Sequence, residues 1–77
     1  SEIAAEEERK KITPIQTNIK KALAILTQTL QTQEAIYKKL GTTKEQFTKD
    51  YNNSERAEKL LEQMKLVINE LKESKNA

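Results

Sequence analysis

The sequence predicts an all-α protein, folded as an antiparallel hairpin of two long helices. Three observations predict it. Apolar residues recur at three- and four-residue steps from Ile15 to Leu40 and again from Phe47 to Leu71, the period of a helix with one buried face. The only glycine of the chain, Gly41, stands between these stretches. Glycine just past a helix takes the left-handed conformation that ends it at no steric cost. Thr42 and Thr43 follow at once, with Glu45 and Gln46 three positions further on, so either threonine completes a capping box that opens the next helix.

Residues 1–12 form a separate charged segment. Glu2, Glu6, Glu7 and Glu8 precede Arg9, Lys10 and Lys11, an order that suits the helix dipole. Glu6–Lys10 and Glu7–Lys11 have the favourable i, i+4 orientation. Ser1 is the available cap, and Ile3 and Ile12 are the only anchors, so this segment is expected to be helical in part and frayed at its start. Thr13-Pro14-Ile15-Gln16 then predicts a fresh helix. Proline is favoured at the first helical position, Thr13 caps, and Gln16 completes the box. The competing reading is one helix kinked at Pro14, at about 3 kcal/mol for the lost hydrogen bond and the ring clash.

The first arm of the hairpin carries its stripe on Ile15, Ile19, Ala22, Leu23, Leu26, Leu30, Ile36, Tyr37 and Leu40, interrupted at Gln33. The second arm carries Phe47, Tyr51, Ser54, Ala57, Leu60, Leu61, Met64, Val67, Ile68 and Leu71. Asn52-Asn53-Ser54 interrupts it with residues that favour caps. The second arm is therefore either one helix or two, broken near Asn52–Ser54. The domain is expected to span 13–73, with a flexible tail over 74–77.

Folding the arms at Gly41 pairs Tyr37 with Phe47, Leu23 with Leu61, Ile19 with Met64, Ile15 with Ile68 and Ile12 with Leu71. It also sets Gln33 near Tyr51 and Leu30 near Ser54, a polar layer that would fix the register of a coiled-coil-like seam. Two helices cannot enclose a core. Leu60, Val67 and Leu23 widen the stripe and would leave apolar surface on one side of the hairpin, which predicts a homodimeric helix bundle, a docking face for another protein, or both.

Composition narrows the chemistry. The chain has neither cysteine nor histidine, one aspartate, and no glycine-rich phosphate loop. No cofactor or small-molecule substrate is indicated, and no enzyme activity is expected. Glu55, Glu58 and Glu62 share a helix face, which reads as a solvated surface. Glu6, Glu7 and Glu8 point in different directions around a helix and make a poor metal site. No run approaches the ~18 apolar residues of a membrane span, no signal peptide is visible, and a cytoplasmic location is expected.

The expected function is a protein–protein interaction module: an adaptor, an assembly factor or a small inhibitor of a larger protein, bound to another protein or to itself. The stretch from Ala22 to Gln33 has no charged residue in a chain that is 34% charged. Its polar strip, Thr27, Gln28, Gln31 and Thr32 with Leu30 beside it, is the first candidate contact surface, and Leu60 with Val67 the second. The alternative is a helix-turn-helix regulator of DNA over Thr32–Lys49, in which Lys44, Gln46, Thr48 and Lys49 face a groove. Tyr37 and Thr42 fit that motif poorly. The seven bases and seven acids from Lys44 to Ala77 leave little net charge for phosphate.

Overall fold

The computed structural model describes the backbone of residues 2–76 and the side chains of residues 5–74. The proposed Ser1 cap and Ile3 anchor lie outside these residues. Four helices follow one another: α1 Glu2–Leu30, α2 Gln33–Leu40, α3 Lys44–Tyr51 and α4 Ser54–Asn76. The all-α prediction holds, and two long helices pack against one another.

They do not form the expected hairpin. Lys11 and Ile15 of α1 share a small cleft with Ser54, Glu55 and Glu58, at the start of α4. Ile25 and Leu26 share another with Ile68 and Leu71, near its end. The two long helices therefore run in the same direction. Between them in sequence, α2 and α3 carry the chain back. Their sixteen residues span about 24 Å, close to the ~21 Å that separates Gln16 from Leu30 along α1. At the far end of this return, the Gln16 amide donates from Nε2 to the Tyr51 carbonyl at 2.9 Å. The topology is up, down, up, with a broken middle layer, in a rod of 51 × 22 × 16 Å.

Local chemistry explains each break. Gly41 ends α2 with φ 72°. Its N–H donates to the Lys38 carbonyl and that of Thr42 to the Tyr37 carbonyl, the paired bonds of a Schellman motif. Thr43 caps α3, its hydroxyl accepting the Gln46 N–H at 3.2 Å. Only half of that capping box forms, because the Gln46 side chain turns forward to Asp50. Asn53 caps α4 by accepting the Arg56 N–H at 3.1 Å. The second arm is thus two helices.

The first arm is also broken, which the sequence reading missed. Gln31 ends α1 with φ 71°, the only non-glycine residue among those described with positive φ. Thr32 then caps α2 through the Ala35 N–H. Gln33, read as an interruption within a buried stripe, is exposed in the first turn of α2, and the polar layer with Tyr51 does not exist.

At Pro14 the outcome is the competing one. Helix α1 runs unbroken through it. Thr13 does not cap; its hydroxyl donates to the Arg9 carbonyl at 2.7 Å, a back-bond that lets threonine sit inside a helix. Lys10 and Pro14 are both exposed, so water can satisfy the Lys10 carbonyl that the proline leaves without a partner. At the other end α4 continues past Glu73 to Asn76.

Three layers enclose what two could not. Ile19 and Leu26 from α1, Ile36 from α2 and Met64 from α4 are almost wholly buried, each contributing about 1.5–3 kcal/mol by leaving water. Ala57, 0% exposed, gives the close approach that brings the layers together. Phe47 closes the core from α3, its ring 5.2 Å from that of Tyr37. One chain therefore covers much of its own core, and the expected uncovered face of Leu60 and Val67, the basis for a homodimer or a docking face, is absent.

Candidate functional site

The residues singled out as contact surface separate cleanly. Leu60 and Val67 are 6% and 7% exposed and belong to the core. The return layer, absent from a two-helix hairpin, covers this side of α4, so these two side chains are not a docking face. The polar strip is on the surface. Thr27, Gln28, Gln31 and Thr32 are exposed and Leu30 is half-buried beneath them. Thr27 uses its hydroxyl on the Leu23 carbonyl, and Thr32 uses its own as the cap of α2. Gln28 and Gln31 present the amides of the strip to solvent.

Gln28 also belongs to something the sequence reading did not include. It lines a cleft of about 170 Å³ between α1 and α4 with Ile25, Thr29, Ile68, Leu71 and Lys72. Ile25 is 45% exposed, unusually open for isoleucine, and Ile68 and Leu71 are half-buried. Positions 25, 28 and 29 are neighbours on a helix surface, so the strip and the cleft form one patch in which Lys72 carries the only charge among the described residues. Ile25 was detectable in the sequence as a large apolar residue off the stripe. Ile68 and Leu71, expected in the buried seam, pack against the core but stay half-buried at the edge of this cleft. Leu66, 57% exposed, has polar neighbours at Glu62, Gln63, Asn69 and Glu70, and single apolar residues of this kind are ordinary.

The helix-turn-helix positions are distributed differently from that motif's requirement. Lys44, Gln46, Thr48 and Lys49 are all exposed. Gln46 is held by Asp50, with Nε2 donating to Oδ1 at 2.9 Å, and lies in a cleft facing α4. Tyr37 packs on Phe47. Helix α3 thus offers a face with Lys44, Glu45, Thr48 and Lys49, in which a carboxylate accompanies the lysines.

Among the described residues, no three histidine, cysteine, aspartate or glutamate side chains come together as a metal site. No helix is long and apolar enough to cross a membrane. Set against models of protein families, curated proteins and solved structures, the chain finds no match.

Proposed function

We propose that this protein works by binding another protein, without catalysis, through the patch formed by the uncharged strip and the α1–α4 cleft. One observation carries the reading: exposed Ile25 and the half-buried Ile68 and Leu71 line one cleft beside Gln28 and Thr29, a cluster of partly open aliphatic groups, whereas Leu66 stands alone among polar neighbours. A mixed patch of aliphatic groups rimmed by amides and hydroxyls has the composition of an interface centre with a polar rim. Gln31 adds to it. A non-glycine residue in the left-handed region costs free energy, and such residues gather at binding sites. The partner is a second protein or a second copy of this chain, the latter giving a homodimer.

Solution mass by light scattering over a concentration series is the first test. If the protein is a dimer, Ile25→Glu should return it to a monomer with its helicity intact. If it is a monomer, a photo-crosslinker at position 28 should capture a partner that one at position 62 does not. A monomer whose crosslinks from the two positions are indistinguishable overturns the proposal. The α2–turn–α3 unit, with Gly41 in its turn, keeps the DNA-binding reading as the rival. Retention on duplex DNA that falls steeply with salt would favour it.

A further inference from the structure

The other flank of α4 carries a second surface. Between α4 and the α2–α3 turn lies an open cleft of about 390 Å³. Leu40 and Leu60 give it an aliphatic floor. Arg56 and Lys59, three positions apart on α4 and both exposed, form one wall. Gln46 and Asp50 of α3 form the other, and the Gln46 amide already donates to the Asp50 carboxylate. Two cations therefore face one carboxylate whose charge is partly engaged.

We infer that this cleft docks an acidic segment of a partner protein, with carboxylates on Arg56 and Lys59 and an aliphatic side chain over half-buried Leu40. The guanidinium of Arg56 suits paired hydrogen bonds to a carboxylate, and Lys59 adds a point charge one helical turn away. A nucleic acid fits less well. Asp50 repels phosphate and carboxylate alike, so the aliphatic floor decides between them: it gives a phosphate backbone nothing to bind and a peptide side chain something to cover. The inference does not rest on the α1–α4 patch, and Ile25→Glu leaves this cleft intact.

A fluorescent amphipathic peptide of glutamate and leucine is the probe, with its lysine-for-glutamate counterpart as control. The acidic peptide should bind saturably by anisotropy, more weakly as salt rises, and shift the amide resonances of Gly41, Thr42 and Leu60. Reversing both charges, Arg56→Glu with Lys59→Glu, should weaken binding by about tenfold or more. Both positions are exposed, so the variant should keep its fold, which circular dichroism checks; Arg56→Gln with Lys59→Gln is the milder version. Equal binding by the charge-reversed protein, shifts at Ile25 and Leu71 instead, or no saturable binding at millimolar peptide overturns the inference. So does tighter binding of duplex DNA with the same dependence on Arg56 and Lys59.

Discussion

Gln31→Gly should stabilise this protein. Gln31 and Gly41 end their helices with φ of 71° and 72°, so the chain contains a matched pair in which one position has a side chain and the other does not. The left-handed conformation costs a residue with a Cβ about 1–2 kcal/mol. Glycine removes that cost but gives back about 0.5–1 kcal/mol through the greater freedom of the unfolded chain. The net gain is about 0.5–1 kcal/mol, which raises the melting temperature of a domain this size by about 3–6 °C. Gly41→Gln is the converse. A Cβ added at Gly41 meets nothing within 4 Å, so the substitution carries only the backbone cost and should lower stability by a similar ~0.5–1 kcal/mol. Urea denaturation followed by far-UV circular dichroism measures both. The reasoning is refuted if Gly41→Gln destabilises as expected while Gln31→Gly is neutral or harmful, for then residue 31 is not left-handed in solution or its side chain holds the α1–α2 corner. Stabilisation accompanied by lost partner binding would mark the strain as part of the contact surface.

Four further outcomes follow from the packing. Gln16→Ala removes the amide that reaches the Tyr51 carbonyl and should cost about 1 kcal/mol, read in the same denaturation experiment. Met64→Ala opens a void at a residue with no exposed surface and should cost about 2–5 kcal/mol. Pro14→Ala restores the hydrogen bond to the Lys10 carbonyl and should slow amide exchange over residues 5–11, which are exposed on every side; unchanged exchange would mean that the proline is not what weakens this segment. Spin labels at Ala5 and Ser74 should lie about 40 Å apart along the rod, whereas a hairpin would set them about 10 Å apart.

Much of the local structure was legible in the sequence. The stops and starts at Gly41, Thr43 and Asn53 follow from residues with one strong conformational use each, and the buried faces of α1 and α4 follow from apolar spacing. The direction of α4 relative to α1 was not legible, because it depends on how many times the chain turns. A single reversal at Gly41 gives a hairpin; instead the chain reverses at Gln31 and again at Asn52–Asn53, Gly41 only breaks the returning layer, and two reversals set α4 beside α1 in the same direction. Nothing in Leu30-Gln31-Thr32 announces that break, since glutamine rarely adopts positive φ and Thr32 reads equally as an ordinary helical surface residue. The contact surface inherited the same error. Leu60 and Val67 read as outside because nothing in the sequence announces their covering layer; Ile68 and Leu71 do pack against the core beside α1, but next to Ile25 and Leu26 rather than Ile15 and Ile12. The polar strip did not depend on topology, and it lies on the surface as read.

The parallel course of α1 and α4 also fixes how the molecule bears load. In a hairpin, the outer ends of both helices meet at one end, and pulling on them peels contacts apart one pair at a time. Here residues 2 and 76 sit at opposite ends of the rod, so tension between them slides α1 along α4. Ile19, Leu26, Met64 and their neighbours must then give way together. A chain joined to other segments at both ends would act as a stiff strut that yields abruptly, at a force set by its unfolding rate more than by its equilibrium stability.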